Sequence, residues 1–391
     1  MFRNRRGFLA RAMGAGAALW AAPAKPQTAP GPPVETPDVP KLTPKLVDGW
    51  KEFRLVAEPV HTEFIPGRPV DGWGFNGSIP GPTIEVNEGD RVRVIFENHL
   101  PEPTALHWHG FEVPMTMDGS VGLGQDPIPP GGQFVHEFHL NQHGTLFYHS
   151  HFAMQEMMGM LGLFVVQPKV PHATKVDRDF GILLQEWAIL PNNTVPNTMA
   201  MEFNWVTFNG KSGPDSTPML VKQGERVRIR LVNLGMDHHP IHLHGNQFYV
   251  TGTEAGRKPE HLWFPENTVL VGVAQARDIE FDAKHLGEWM LHCHLPHHMM
   301  NQMVSMVGPI SKESMHAMHT PGFYPLDDPE KKKILGYPQD MWMTMDSLYQ
   351  KPETYGLPKG WTGAMMGMMS LIRVLTPEAY DKIQQLKKEK A

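Results

Sequence analysis

Four pairs of histidines, each pair separated by one residue, are the feature of this sequence most suited to metal chemistry. On a β-strand, residues i and i+2 point to the same face, so each pair can present two imidazoles to one metal cluster. With 22 histidines in 391 residues, chance produces roughly one such pair. Satisfied surface or core histidines would explain any single pair but not their regular order. The pairs are His107/His109, His149/His151, His242/His244 and His292/His294.

The residue between the last two of these histidines is Cys293, the only cysteine of the chain. Its thiolate must face away from the cluster that His292 and His294 face, so one short strand connects two metal sites. A blue copper site built on a cysteine needs two further nitrogens and usually a weak axial thioether. Core packing is the alternative role for the methionine, because it explains most methionines. The candidate ligands are His239, His298 and Met303.

The sequence contains an internal repeat. HWHG at residues 107–110 recurs as HLHG at 242–245, 135 residues later, and HSH at 149–151 recurs as HCH at 292–294. A third landmark, Phe-Asn-Gly followed by a Gly-Asp/Glu-Arg-Val-Arg run, precedes both copies of these motifs. Three landmarks in the same order predict two copies of one domain. We assign the copies to residues 46–170 and 171–310.

Both copies are predicted to be all-β. Segments such as RVRVI at residues 91–95 and RVRIRL at 226–231 alternate between two faces and are separated by Gly, Pro and Asn turns. This alternation, without long helical periodicity, favours antiparallel β-sandwiches or barrels. Residues 311–391 match neither copy and are expected to form a loop-rich extension that ends in a short charged helix.

Composition narrows the chemistry further. The formal net charge of −6, without a long basic run, gives no electrostatic footprint for nucleic acid. A single cysteine excludes an intrachain disulfide framework and a Cys-rich zinc module. The 22 histidines and 26 methionines instead favour transition metals, copper above all, because that metal accepts imidazole and thioether ligands.

The N-terminus resembles a twin-arginine export signal. An Arg-Arg pair precedes an apolar stretch over residues 12–22 and a small-residue cleavage pattern. Because that stretch is too short to cross a bilayer, we expect residues 1–24 to be removed and no membrane span in the mature chain. The expected location is periplasmic or otherwise extracytoplasmic. Residues 25–45 are rich in proline and are expected to form an extended tether.

The motifs together resemble the multicopper oxidase family. HWHG, FYHSH, HHPIHLHG and HCHLPHHMMNQM stand in the family's order over residues 46–310. The resemblance implies two tandem cupredoxin-like Greek-key β-sandwich or barrel domains and four coppers per chain. Type 1 copper is expected on His239, Cys293, His298 and Met303, type 2 copper on His107 and His242, and the type 3 pair on His109, His149, His151, His244, His292 and His294.

The first domain has no type 1 site of its own. The repeat places Thr104, Ser150 and Gln155 at the first three type 1 positions, and only Met160 matches its ligand. This pattern resembles the two-domain laccases whose type 1 copper is in the second domain. Their trinuclear cluster forms between domain one of one subunit and domain two of the next. The resemblance therefore implies a homotrimer with metal sites at its interfaces.

The same resemblance implies an oxidoreductase that couples four one-electron oxidations to the reduction of dioxygen to water. Electrons enter at type 1 copper and pass on through Cys293. Asp118, in a Met-Asp-Gly segment shortly after HWHG, occupies the position of an acid that supplies protons during oxygen reduction. The alternative for this residue is a solvated aspartate in a turn before glycine.

The reducing substrate stays open between a phenol and copper(I). Thioethers select cuprous ion, and methionines crowd residues 154–160 and the C-terminal extension, where SMHAMH at 314–319 mixes two ligand types. The alternative is that flexible methionines fill irregular cores and interfaces.

Two other functions stand as alternatives. A copper nitrite reductase is also a trimer of double cupredoxin domains, but it would carry the cysteine motif in its first domain and would not need eight cluster histidines. A non-enzymatic copper-binding or resistance protein would explain the methionines but not a complete electron-transfer set.

Overall fold

The structure is a computed structural model that describes residues 31–152, 154–189, 193–299 and 345–390. Its described residues are mostly β, with ten strands in the first domain. These strands are β1 (Lys41–Leu42), β2 (Lys45–Val47), β3 (Trp50–Glu63), β4 (Pro69–Phe75), β5 (Gly81–Asn87), β6 (Arg91–Asn98), β7 (Leu106–His109), β8 (Gln133–His139), β9 (Gly144–Ser150) and β10 (Leu161–Gln167).

The second domain contributes twelve described strands and a C-terminal helix. The strands are β11 (Arg178–Trp187), β12 (Trp205–Phe208), β13 (Met219–Lys222), β14 (Arg226–Asn233), β15 (His239–Leu243), β16 (Phe248–Thr253), β17 (Gly256–Arg257), β18 (Pro265–Glu266), β19 (Thr268–Val271), β20 (Gln275–Asp282), β21 (Gly287–Cys293) and β22 (Met369–Leu375), and the helix is α1 (Pro377–Lys390).

Each domain is a sandwich of two sheets, as the period-two alternation predicts. In the first domain, β1-β5-β10-β9-β7 faces β2-β3-β6-β8, which also carries β4. In the second, β13-β22-β21-β15-β19 faces β12-β11-β14-β20-β16-β17, with β18 on β16. Strand β6 shows the cause, because its buried residues alternate with partly exposed ones. The buried faces form one hydrophobic core per domain. The prediction of two cupredoxin-like domains is confirmed.

Strand β22 comes from the C-terminal extension and completes the second sandwich. It pairs antiparallel with β21 and parallel with β13, as β10 pairs with β9 and β5 in the first domain. All seven of its residues are buried. The sequence analysis did not anticipate this strand, because the residues between β21 and β22 interrupt the local order of the repeat.

Part of the predicted tether also belongs to the fold. Val34 is buried in a cluster with strands of both domains, and β1 pairs with β5. Asp38 accepts hydrogen bonds from the backbone N–H and the hydroxyl of Thr217. The expectation of an extended tether therefore differs from the structure over residues 34–42, since these side chains gain burial and partners. The first 24 residues, with the export signal, lie outside the described residues.

The two domains meet through apolar side chains and a buried charge network. Phe147 and Leu163 of the first domain pack with Leu183 and Val232 of the second. Beside them Arg230, which is 2% exposed, binds Asp179 through two nitrogens at 2.8 Å and donates to the Thr145 hydroxyl. Thr145 in turn donates to Asp278. Buried charges need such partners, so the network is expected to hold the two domains in one relative orientation.

None of the described helices is long and apolar enough to cross a membrane.

Candidate metal centres

The four histidine pairs lie on two pairs of neighbouring strands. In the first domain β7 pairs with β9 so that His107 is opposite His149. In the second, β15 pairs with β21 so that His242 is opposite His292. Because alternate residues share a face, the second histidine of each pair joins the same face. His107 contacts the other three rings of its domain at centroid distances of 5.1–5.7 Å. His242 does the same at 4.9–5.6 Å.

Backbone carbonyl groups orient four of these rings. In each case Nδ1–H donates to a carbonyl oxygen, which leaves Nε2 without a proton and available as a metal ligand. The pairs are His107 with Asp118 at 2.8 Å, His149 with Ser150 at 2.9 Å, His242 with Asn267 at 2.7 Å and His292 with Cys293 at 2.8 Å.

The donor atoms fit copper. His107, His109 and His149 bring one donor each within 4.8 Å of one another, and so do His242, His244 and His292. Burial lowers the pKa of His149 to about 3 and also lowers the pKa of His292. Neutral imidazoles are the form that binds a transition metal. His244 Nε2 and His292 Nε2 are only 3.0 Å apart, which suits two ligands converging on metal.

A third group of donors is buried in the second domain. Cys293 Sγ is 3.7 Å from His239 Nδ1 and 3.4 Å from His298 Nδ1. All three side chains are at most 1% exposed. Burial raises the pKa of the Cys293 thiol to about 12 and lowers that of His298 to about 3. A metal displaces the thiol proton outright, and two imidazoles with one thiolate form the donor set of blue copper.

The expected axial ligand, Met303, lies outside the described residues. Met368 lies beside the group instead and is fully buried. Its N–H donates to the His298 carbonyl at 2.9 Å, and its own carbonyl accepts from the Cys293 N–H at 3.0 Å. In the first domain Met160 has the matching position, because its carbonyl accepts from the N–H of Ser150 at 2.9 Å.

The first domain fills its equivalent of the third group with hydrogen bonds. Gln155 Oε1 accepts from Thr104 Oγ1 and from Ser150 Oγ, both at 2.7 Å. Hydroxyl and amide groups satisfy one another here, so this buried pocket has no free soft ligand for copper.

Asp118 lies against a cluster histidine. Its carboxylate is 3.5 Å from His107 Nδ1 and accepts a hydrogen bond from Ser120 Oγ. Gly119 permits this approach: its φ is +90°, and a Cβ there would fall 2.0 Å from the Leu106 carbonyl oxygen. The turn thus places both the backbone and the side chain of Asp118 at the metal group.

The two groups of four histidines are separate in one chain. Among the ring contacts of the described residues, none joins a cluster histidine of the first domain to one of the second. His151, His244 and His294 are exposed. Each domain therefore presents half of an eight-histidine set at its surface.

Two glutamates near the ligands were missed by sequence reasoning. Glu156 Oε2 is 3.3 Å from His149 Nδ1. Glu186 Oε2 is 3.1 Å from His239 Nε2. A charged residue in the apolar strand FGILLQEW was the available signal for Glu186, since glutamate is rarely fully buried without a partner.

The methionines divide between cores and one cluster. Met157 and Met160 are buried in the first domain, which favours packing for residues 154–160. Met365 and Met369 are buried next to Met290 and Met299, close in sequence to the thiolate group. The SMHAMH segment lies outside the described residues.

Comparisons with known proteins agree with this geometry. The family described as Multicopper oxidase matches residues 57–171 and 189–313. The chain is 36% identical over 185 residues to a copper resistance protein A homolog of Pseudomonas syringae pv. tomato, covering 47% of this chain and 29% of that protein. It is 29% identical over 231 residues to Laccase-2 of Botryotinia fuckeliana, covering 54% and 39%.

Among solved structures, the blue copper oxidase from Nitrosomonas europaea matches with a TM-score of 0.60 and 31% identity, covering 64% of this chain and 81% of that one. The chain spans less than a third of the length of the copper resistance protein A relatives. The family matches fall on both domains that carry the histidine groups and together cover more than half of the chain. The chain belongs to the multicopper oxidase family.

Proposed function

We propose that this protein oxidises a small reducing substrate in one-electron steps and reduces dioxygen to water. The observation that carries the proposal is the strand end His292-Cys293-His294. Its cysteine belongs to the buried thiolate group, while His292 belongs to the cluster group on the opposite face. Electrons entering at the thiolate group need cross only a few covalent bonds to reach the cluster.

Copper, when bound, stores single electrons at one site and provides the place where dioxygen is reduced at the other. Four electrons and four protons convert one dioxygen into two waters. The chain's own residues must hold the ligands in a fixed geometry and deliver the protons. Asp118 is the proposed proton donor, because its carboxylate is next to His107 and partly exposed to solvent. Four coppers per chain, one type 1, one type 2 and two type 3, are the expected content.

For the type 1 copper we assign His239, Cys293 and His298 as ligands. Met368 replaces Met303 as the proposed axial thioether. Its backbone is bonded to both His298 and Cys293, and it directly precedes β22 as Met160 precedes β10. A thioether from residue 303 has no such counterpart in the repeat.

The remaining ligands support a homotrimer. Each chain offers four cluster histidines from each domain, on surfaces that do not meet within the chain. A ring in which domain one of one subunit faces domain two of the next would join the halves into three complete clusters. Sedimentation should then show a trimer three times the mass of the chain.

A complementation experiment tests this arrangement. The variants His109→Ala and His244→Ala each damage one half of every cluster. Co-expressed with different tags and purified as mixed trimers, they should regain oxygen reduction, because some interfaces then pair two intact halves. An active, fully copper-loaded monomer, or mixed trimers as inactive as either variant, would refute the inter-subunit cluster.

Copper(I) and a phenol are the two candidate reductants. The methionine cluster near Cys293 and the copper resistance protein A relatives favour copper(I), whereas the laccase relative favours a phenol. Dioxygen uptake by the copper-loaded protein, with each reductant in turn, decides between them. The variant Cys293→Ser is the control and should lose both the blue absorption and the uptake. A wild-type protein that is blue but consumes no oxygen with either reductant would revive the copper-carrier alternative.

Export by the twin-arginine route to the periplasm is part of the proposal and rests on the sequence of residues 1–24. Cell fractionation of a tagged chain, with Arg5→Lys and Arg6→Lys replaced together as the control, tests it. A copper nitrite reductase fits less well, because the thiolate group is in the second domain and eight histidines form the other groups.

A further inference from the structure

Glu186 is a buried carboxylate that is bonded to a proposed type 1 ligand. It lies near the end of β11 and is 0% exposed. Its Oε2 accepts a hydrogen bond from His239 Nε2 at 3.1 Å. Its Oε1 accepts from the backbone N–H groups of Met236 and Asp237. These bonds hold the carboxylate in one position behind the His239 ring, whose Nδ1 faces the Cys293 sulfur.

No arginine or lysine of the described residues neutralises this carboxylate; its one ion-pair contact is with His239. An ionised carboxylate without a cationic partner is costly to bury. A cation bound to the other side of the imidazole would offset that cost, because charge is transmitted through the ring and little water screens it. The site therefore suits a positively charged metal group at His239 Nδ1.

The first domain provides an internal comparison. The register pairs Leu184 with Asn233 in the second domain and Ala57 with Asn98 in the first. Two residues further along each strand, Pro59 occupies the position of Glu186. The domain without a type 1 site therefore also lacks the carboxylate.

A glycine makes room for this side chain. A Cβ on Gly235 would fall 1.9 Å from Glu186 Oε2. The repeat offset places Leu100 at the corresponding position of the first domain. Glutamate and glycine thus occur together in the domain that carries the thiolate group.

We propose that the Glu186 carboxylate lowers the reduction potential of the type 1 copper by stabilising its oxidised form through His239. This inference rests on the proposed function. The couple concerned is the gain of one electron by copper(II) to give copper(I), with no bond broken and no proton transferred. The extra positive charge of the oxidised form attracts the fixed carboxylate more strongly, so the oxidised form is favoured.

The second imidazole of the group has a weaker outer partner. His298 Nε2 is 3.7 Å from Asp237 Oδ2, beyond a hydrogen bond, and the Asp237 side chain is 44% exposed. Solvent screens a charge in that position. Glu186 is therefore a positioning residue whose effect should exceed that of its neighbour Asp237. A lowered potential restricts the enzyme to good reductants.

The test is a redox titration of the blue absorption in the wild type and in Glu186→Gln and Asp237→Asn. Glu186→Gln keeps the shape and removes the charge. At a fixed applied potential we expect its ratio of reduced to oxidised copper to rise about tenfold or more, equivalent to about 59 mV for one electron. Asp237→Asn should change the ratio several-fold less. Electron paramagnetic resonance of the oxidised protein checks that the thiolate ligand is retained.

An unchanged midpoint in Glu186→Gln, or an equal shift in Asp237→Asn, overturns the inference. If Glu186→Gln does not fold, Gly235→Ala decides, since its added methyl displaces an unchanged carboxylate from His239. A raised midpoint supports the inference, and an unchanged one overturns it. A wild-type protein that is never blue when loaded with copper would instead remove the proposed function, and with it this inference.

Discussion

The backbone N–H of Cys293 donates to the carbonyl oxygen of Met368 at 3.0 Å, although Met368 follows 75 residues later in the chain. The same Met368 donates its N–H to the His298 carbonyl at 2.9 Å. A residue from the C-terminal extension is thus held between two proposed copper ligands. The strand that follows it, β22, anchors that contact in the second sandwich.

Replacing Met368 tests the axial assignment. Met368→Leu preserves volume to within about 1.5 kcal/mol of stability but removes the thioether. We expect an altered blue absorption and a changed type 1 potential, because the axial ligand tunes both. The matched control is Met303→Leu, which should leave the spectrum unchanged. If the control alters the spectrum and Met368→Leu does not, residue 303 is the ligand.

Truncation tests the role of β22. A chain ending at Met368 loses a strand of seven buried residues and leaves β13 and β21 unpaired on one side. The loss should exceed the 5–15 kcal/mol that holds a typical domain folded, so we expect the second domain to unfold and the blue site to be lost.

A chain ending at Thr376 is the control for that truncation. It lacks only α1, which packs Tyr380 and Ile383 on Leu220 and Leu375. This chain should fold with reduced stability in a denaturant titration. A blue, cooperatively folding protein that ends at Met368 would contradict the assignment of β22 as an essential strand.

Asp118→Asn tests the proposed proton donor. The backbone carbonyl that orients His107 remains, so copper content and the resonance spectrum of the cluster should stay unchanged. General acid catalysis contributes about 10²–10⁴-fold, and we expect reoxidation of the reduced enzyme by dioxygen to slow by at least about tenfold. Ser120→Ala, which removes only a hydrogen bond to the carboxylate, should have a smaller effect. Wild-type reoxidation in Asp118→Asn would reduce Asp118 to a turn residue.

His136 predicts a pH dependence of stability. It is fully buried in the first domain, and burial lowers its pKa to about 4. Between pH 6.5 and 4 the unfolded chain binds a proton that the folded chain does not, so the free energy of unfolding falls as the pH falls. The contribution is about 3 kcal/mol over that range, and it is fully present above pH 6.5.

The variant His136→Gln tests this. Nδ1 of His136 lies 3.1 Å from Trp108 Nε1 and 3.0 Å from the Met117 carbonyl, and an amide can serve both groups. Denaturant titrations at pH 7 and pH 4.5 should show a smaller difference for the variant than for the wild type. An equal difference in both proteins would mean that other groups carry the acid sensitivity.

Much of the site was predictable because it is encoded locally. His-x-His on a strand directs two rings to one face, and the middle residue to the other, whatever the rest of the chain does. The repeat also predicted that Thr104, Ser150 and Gln155 replace a copper site, and the structure shows them hydrogen-bonded to one another. These inferences needed only spacing within one strand or one repeat.

The sequence by itself determined the all-β class, the two-domain repeat and the histidine and cysteine donors. The tertiary structure decided which methionine lies beside Cys293, that β22 completes the second sandwich, and that Glu186 lies behind His239. It also decided that the two histidine groups do not meet within one chain. The physical reason is that each of these depends on pairing between distant segments, and such pairing leaves no periodic signal in the local sequence.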